Sequence, residues 1–219
     1  MSTLGVLIWG GVTGQAGVVA GVIHALGYQI EALVDTDINA TAQFEEGIFV
    51  AGEDAIETYL SSANLPRFFV VAIGSSGQAR CQVADKLMAL GMEPLTLIHP
   101  SAWVASSATI EPGCQILGAS AISENARLGR QTIVNTNATI DHDTVIGQGV
   151  HIMLTATLTG LIEVGDYATI GANATVLPRL KVGRHGFVGA GAVVTKHVPD
   201  NTTVIGVPAR VKMRTGDSF

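Results

Sequence analysis

Two histidines and the polar residues around them are the part of the sequence best suited to chemistry. His142 stands between two carboxylates in Asp141-His142-Asp143, and His151 follows on the C-terminal side. A neighbouring carboxylate fixes the tautomer of an imidazole and keeps it basic near neutral pH, which suits a general base. A solvated polar turn without a catalytic role would contain the same residue types. The residue pattern by itself therefore leaves both interpretations of His142 open.

A metal site is the second chemistry to consider here. Zinc needs three or four converging ligands. The other histidines do not repeat at multiples of eighteen from His142, which is the spacing that would stack them in the repeat described next; they are His24, His99, His185 and His197. Cys81 and Cys114 have neither metal-binding nor disulfide spacing. We therefore expect no metal, and we interpret the cysteines as reduced core thiols.

These polar residues lie inside a long hexapeptide repeat. An aliphatic residue recurs at every sixth position from Ile98 to Val194 without interruption. Neither the 3.6-residue period of a helix nor the two-residue period of a strand requires this spacing. A hexapeptide repeat is the signature of a parallel β-helix, in which each hexad forms one side of a coil. Three hexads per coil predict roughly five coils, with His142 near a coil corner.

The N-terminal part of the sequence indicates a nucleotide-binding unit. A buried strand at Leu4–Trp9 leads into a glycine-rich turn, a helix and a second strand that ends at Asp35. In such a βαβ unit, Gly11 and Gly14 would let the backbone approach a phosphate, and Asp35 would bond a ribose hydroxyl. The glycine spacing is G-x-x-G-x-x-G rather than G-x-G-x-x-G. A tight turn without a ligand is therefore the alternative.

These patterns together predict three segments. Residues 1–97 form a Rossmann-like α/β domain, residues 98–198 form the β-helix, and residues 199–219 form a capping tail. The net charge of −6 argues against nucleic acid as the main ligand. The sequence has no apolar run of about eighteen residues and no basic N-terminal stretch, so we expect a cytoplasmic protein without a membrane span.

One motif in the repeat points to a family. Asn135-Thr136-x-Ala138-x-Ile140-x-His142-Asp143, with Leu158-Thr159-Gly160 and Ile205-Gly206-Val207-Pro208-Ala209, resembles bacterial sugar acyltransferases with hexapeptide repeats. These enzymes include sialic-acid O-acetyltransferases and N-acetyltransferases of nucleotide-linked aminosugars. The resemblance covers nearly the whole chain. It implies a left-handed coil and a homotrimer with active sites between protomers. It also implies that acetyl-CoA binds along the β-helix and that the N-terminal domain binds most of a nucleotide-linked sugar.

The resemblance also implies roles for individual residues. His142 matches the catalytic base, Asp143 matches the acidic residue that orients it, and Asn135 matches a contact to the acceptor sugar. The positions implied for acetyl-CoA are His151, Gly160, Ala172 and Ala190. The positions expected to bind the nucleotide part of the substrate are Gly11, Gly14, Asp35 and Asp37. Gln15 departs from the family, because many of these enzymes have His there.

We therefore expect an acetyl-CoA-dependent N-acetyltransferase that acts on a UDP-linked 4-amino sugar, with His142 as general base. O-acetylation of sialic acid or a related sugar is the alternative within the family, because an amine and a hydroxyl acceptor need the same base. A catalytically silent solenoid that binds nucleotide is the alternative outside it.

Overall fold

The N-terminal domain is built on one parallel sheet. The structure, a computed structural model, describes residues 5–10, 12, 14–42, 44–62 and 64–212. The sheet has the order β3-β2-β1-β4-β5. Its strands are β1 (Gly5–Trp9), β2 (Gln29–Asp35), β3 (Ile48–Ala51), β4 (Phe68–Val71) and β5 (Glu93–Pro94). The helices are α1 (Gly14–Ala25), α2 (Glu53–Leu60) and α3 (Gly77–Ala89).

Helices cover both faces of this sheet. Val6 and Ile8 lie in one apolar cluster with residues of α1, whereas Leu7 and Phe69 lie in a second cluster with residues of α2 and α3. Burial on both faces explains why the strands are continuous apolar runs rather than alternating ones. The carboxyl ends of β1, β2 and β4 therefore meet at one edge of the sheet.

The hexapeptide repeat forms three flat sides of a prism. Side one comprises β6 (Leu97–Ile98), β9 (Gln115–Ile116), β12 (Ile133–Val134), β15 (His151–Ile152), β18 (Thr169–Ile170), β21 (Phe187–Val188), β23 (Thr203–Ile205) and β24 (Arg210–Val211). Side two comprises β7 (Trp103–Val104), β10 (Ala121–Ile122), β13 (Thr139–Ile140), β16 (Thr157–Leu158), β19 (Thr175–Val176) and β22 (Val193–Val194). Side three comprises β8 (Thr109–Ile110), β11 (Arg127–Leu128), β14 (Val145–Ile146), β17 (Glu163–Val164) and β20 (Lys181–Val182).

Each coil takes eighteen residues, and the ladders between coils are parallel. Ile122 pairs with Ile140, and Thr139 pairs with Thr157, so that each residue of strands β9 to β22 lies over the one eighteen positions earlier. The second residue of each strand points inward, and the stacked side chains of Ile122, Ile140 and Leu158 are completely buried. The predicted parallel β-helix is confirmed.

The C-terminal end of the prism is closed by the last two strands. β23 continues side one by pairing with β21, and β24 runs antiparallel to β23. The predicted capping tail is therefore described as far as residue 212, and its residues 213–219 lie outside the described residues. At the other end, the sequence predicts a single strand over Pro94–Ile98. The structure has two strands there, because β5 belongs to the N-terminal sheet and β6 to the prism.

The α1 face of the N-terminal domain lies on side one of the prism. Leu117 and Ile133 of the prism share an apolar cluster with residues of α1. Within this contact, Gln15 Nε2 donates to Gln115 Oε1 at 2.8 Å, and Gln115 Nε2 donates to the Val71 carbonyl at 2.8 Å. Gln15, the residue that departs from the family, therefore has a partner in the prism.

Candidate active site

His142 is held by a chain of polar contacts at one edge of the prism. The two–three edge consists of the turns that lead from side two to side three, at 106–108, 124–126, 142–144, 160–162 and 178–180. The His142 Nδ1 lies 2.8 Å from Asp143 Oδ2, and Asn125 Nδ2 donates to Asp143 Oδ1 at 3.0 Å. Asn125 lies one coil below Asp143. The carboxylate is thus fixed from below while it orients the imidazole.

Electrostatics make His142 a base at its outer nitrogen. The hydrogen bond to Asp143 raises the pKa of His142, and the charges of Asp141, Asp143 and Glu124 act in the same direction. The same hydrogen bond lowers the pKa of Asp143. Asp143 is therefore ionised and accepts the Nδ1–H of neutral His142, which leaves the Nε2 lone pair available. Both side chains are about half exposed, at 49% and 44%, so a substrate can reach them.

Gly160 lies next to this nitrogen. A Cβ at position 160 would lie 3.1 Å from His142 Nε2, and Gly160 has a φ of +91°, which favours glycine. In the described part of the chain the Gly160 N–H donates to no acceptor, whereas the next N–H, of Leu161, donates to the His142 carbonyl at 2.9 Å. The two–three edge therefore holds both a base and, one coil away, an N–H that no acceptor in the described chain uses, and a reaction with a developing oxyanion needs these two kinds of group.

His151 lies apart from His142, on side one beneath the N-terminal domain. Its Nδ1 donates to the Gly74 carbonyl at 3.0 Å, and its Nε2 accepts from Asn135 Nδ2 at 3.3 Å. The Asn135 Oδ1 accepts the N–H of Thr136 at 2.8 Å. Burial, with the charge of Arg80 as a smaller cause, lowers the pKa of His151 to about 4. His151 is therefore neutral with both ring nitrogens bonded, and it is not a general base in this chain.

The predicted site residues of the prism thus fall in two places. His142, Asp143 and Gly160 share the two–three edge. Ala172 and Ala190 belong to the one–two edge, which consists of the turns at 100–102, 118–120, 136–138, 154–156, 172–174 and 190–192. Asn135 and His151 come together on side one, with Asn135 directly before a turn of the one–two edge. A single chain therefore does not bring all these residues together.

The predicted nucleotide-binding residues lie at the carboxyl edge of the N-terminal sheet. Asp35 is buried, and its carboxylate accepts the N–H of Val12 at 3.3 Å and of Asp37 at 3.1 Å. Asp35 thereby connects the end of β2 to Val12, which follows β1. Asp37 is exposed, and a Cβ added at Gly14, the first residue of α1, would meet open space. Gly11 lies outside the described residues.

Three polar residues are absent from the predicted site: Asn125 holds Asp143, and Arg80 and Gln115 lie between the two domains. Asn125 stands eighteen positions before Asp143, so the coil length alone could have identified it. Arg80 and Gln115 are fully buried between the two domains, and no local pattern indicates their partners. Burial lowers the pKa of Arg80 to about 10, so its guanidinium remains charged at neutral pH.

The described residues include neither a metal-binding cluster nor a membrane-spanning helix. They contain no group of three or more His, Cys, Asp or Glu side chains that could hold a metal ion. In the same part of the chain, no helix combines the length and apolar character needed to cross a bilayer.

Comparison with known proteins gives a consistent group of relatives. No protein-family model matches the chain. A curated GDP-perosamine N-acetyltransferase from Escherichia coli O157:H7 is 34% identical over 125 residues. This match covers 56% of the chain and 56% of the relative, so the chain spans little more than half the length of that curated protein.

Solved structures match over almost the full chain. A mutant of GDP-perosamine N-acetyltransferase from Caulobacter crescentus, in complex with CoA and GDP-perosamine, has a TM-score of 0.88 and 34% identity over 96% of this chain and 97% of that chain. The acetyltransferase domain of PglB from Neisseria gonorrhoeae FA1090, solved in complex with acetyl coenzyme A, has a TM-score of 0.85 and 30% identity over 96% of this chain and 100% of that chain.

The hydrogen bond between His142 and Asp143 predicts a measurable titration change. Asp143→Asn removes the negative charge that stabilises the imidazolium, so the pKa of His142 should fall. NMR titration of the His142 ring protons in wild type and variant measures this. Asp200→Asn, a carboxylate substitution outside the two–three edge, should leave the His142 titration in place. An unchanged His142 titration in Asp143→Asn would contradict the assigned pair.

The buried His151 predicts a pH-dependent stability. The unfolded chain binds a proton at His151 near pH 6.5, whereas the folded chain resists protonation until about pH 4. Stability is therefore lost as pH falls through this range, by about 2 kcal/mol between pH 7 and pH 5. Urea unfolding at both pH values, for wild type and His151→Gln, should show a smaller loss in the variant. The same loss in both proteins would refute the neutral buried imidazole.

Proposed function

Because the chain belongs to the bacterial sugar N-acetyltransferases of the hexapeptide-repeat family, we propose that it transfers the acetyl group of acetyl-CoA to the amine of a nucleotide-linked amino sugar. The observation that carries the proposal is the oriented base: His142 is held through Asp143 by Asn125, and its free Nε2 faces Gly160. A silent solenoid has no need of this arrangement.

The reaction needs no covalent enzyme intermediate. The amine nitrogen attacks the thioester carbonyl of acetyl-CoA, and His142 Nε2 accepts the proton that the amine loses. Asp143 stabilises the imidazolium that forms. The Gly160 N–H donates to the oxyanion of the tetrahedral intermediate, a contact worth about 3 kcal/mol. The intermediate collapses by breaking the C–S bond, and the CoA thiolate takes the proton back from His142.

The N-terminal domain is proposed to hold the nucleotide. Its carboxyl edge offers the N-terminus of α1 at Gly14 and the exposed carboxylate of Asp37, as a Rossmann-like site would. The sequence predicts a UDP-linked acceptor, whereas the names of two relatives state GDP-perosamine. Both nucleotides therefore belong in the first assay. The domain bounds, the left-handed coil and the cytoplasmic location stay predictions from the sequence.

The two separate groups of site residues support a homotrimer. In this proposal, the two–three edge of one protomer faces the one–two edge of its neighbour, so that His142 meets the partner's Asn135 and the acetyl-CoA positions Ala172 and Ala190. Side two fits a buried face, because the first residue of each of its strands is uncharged; these residues are Trp103, Ala121, Thr139, Thr157, Thr175 and Val193. Side three presents Arg127, Glu163 and Lys181 instead.

The first assay measures CoA formed from acetyl-CoA by chromatography, with GDP-linked and UDP-linked 4-amino sugars and with free sialic acid. We expect product with a nucleotide-linked amino sugar.

His142→Ala should lower kcat by roughly a hundredfold or more. The wild-type rate should rise with pH through the His142 pKa, because only neutral His142 accepts a proton. The control is His24→Ala, an exposed histidine of α1. Product from sialic acid alone would make the protein an O-acetyltransferase.

Mixing two inactive variants tests the shared site. If His142 and Asn135 act together across protomers, then co-expressed His142→Ala and Asn135→Ala chains form some intact sites in mixed trimers. Activity should then reappear relative to either variant alone. Co-expression of His142→Ala with Asp143→Ala, two substitutions on the same edge, is the matched control and should recover no activity. Recovery in the control alone, or a monomer in sedimentation, would contradict the inter-protomer site.

A further inference from the structure

Arg80 connects the two domains from the interior. It lies in the first turn of α3, and among the described residues it is the one Arg, Lys, Asp or Glu that is 0% exposed. Its Nη1 donates to the Ile73 carbonyl at 2.6 Å within the N-terminal domain. Its Nε donates to the Gln131 carbonyl at 2.6 Å, and its Nη2 donates to the Gly149 carbonyl at 2.9 Å. One side chain thus joins the loop after β4 to two successive coils of the prism.

The same loop meets the prism at two further points. The Gly74 carbonyl accepts from His151 Nδ1 at 3.0 Å. Gly77, the first residue of α3, touches Gly149 so closely that a Cβ at position 77 would collide with the Gly149 carbonyl. The segment from Ile73 to Arg80 therefore has little freedom to move relative to the coil that carries His151. This segment starts at the carboxyl edge of the N-terminal sheet, where the nucleotide is proposed to bind.

Stability alone does not account for an arginine at this position. Its partners are neutral backbone carbonyls, and in the described chain no carboxylate contacts it. A buried charge without a counter-charge is expensive, and an apolar side chain of similar volume often serves stability as well. The planar guanidinium instead fixes the relative position of the groups that it binds. Its N–H donors point in fixed directions and bind carbonyls of both domains at the same time.

We propose that Arg80 is a positioning residue for acetyl transfer: it fixes the distance between the nucleotide-binding edge of the N-terminal domain and the prism that carries the reacting groups. This inference depends on the proposed function. A nucleotide-linked sugar has a set length between its nucleotide and its amine, so the placement of the domain decides where the amine stands. A displacement of about 1 Å at the reacting atoms lowers the rate by about a hundredfold.

The test compares wild type with Arg80→Lys and Arg80→Met. Lysine keeps the charge without the planar fork, and methionine keeps much of the volume without the charge. Both should lower kcat for the nucleotide-linked acceptor by about tenfold to a hundredfold. The Kd values for the free nucleoside diphosphate and for CoA, measured by calorimetry, should stay within about twofold, because each ligand binds one domain. Slow acetylation of the same amino sugar without its nucleotide, supplied at high concentration, should also be unchanged.

The matched control is Asp85→Asn. Asp85 also links α3 to the prism, through Arg130, but this ion pair is partly exposed, with side-chain exposures of 52% and 31%. Its loss should leave kcat near the wild-type value. Circular dichroism and melting temperature establish that the variants are folded at the assay temperature. If Arg80→Met is unfolded, the comparison is made with Arg80→Lys alone.

Three results would overturn the inference. One is an unchanged kcat in folded Arg80→Lys, and another is an equal loss with the free and the nucleotide-linked acceptor. The third is a nucleotide Kd that rises in step with the loss of kcat. A wild-type protein that acetylates no nucleotide-linked sugar would instead refute the proposed function, and the role of Arg80 with it.

Discussion

The hydrogen-bonded pairing of each strand residue with the residue eighteen positions later is the constraint on which the structure depends. Because the coils that carry the candidate site have the same length, side chains one coil apart stand directly above each other there. Asn125 meets Asp143 for this reason, and Gly160 lies against His142 for the same reason. The candidate catalytic group therefore needs no irregular loop. It results from polar residues placed at matching positions of consecutive turns.

The junction between the domains follows a different logic. Apolar contacts between α1 and side one bury surface between the domains, but polar side chains determine how the two domains are positioned. Gln115 and His151 of the prism bond groups of the N-terminal domain, and Arg80 of the N-terminal domain bonds carbonyls of the prism, all three while buried. Burying an arginine without a carboxylate costs several kcal/mol before its hydrogen bonds are counted. Burial in the same junction, together with the charge of Arg80, keeps His151 neutral. A polar junction of this kind permits one relative placement of the domains, whereas an apolar junction tolerates sliding.

The sequence predicts the features that depend on the six-residue repeat, but not those that depend on contacts between residues far apart in the chain. The six-residue period is enough to predict the coils, the inward residues and the corner position of His142. The glycine-rich segment and Asp35 indicate the first βαβ unit, but not that Asp35 bonds the Val12 N–H. The approach of Gly74 to His151 joins residues far apart in sequence, and no local pattern encodes it. The acetyl-CoA role of His151 stays a prediction from the resemblance, and the structure adds its bond to the N-terminal domain.

The fixed coil length also restricts how such a protein can change during evolution. Inserting one or two residues in a strand would move every later inward side chain out of phase, whereas inserting a whole coil would keep the phase. A whole coil lengthens the prism by one strand spacing, about 4.8 Å. The separation along the prism axis between the base at the two–three edge and the first coil, which follows the N-terminal domain, can therefore grow only in steps of that size. The prism thus sets distances along its axis in steps of one coil.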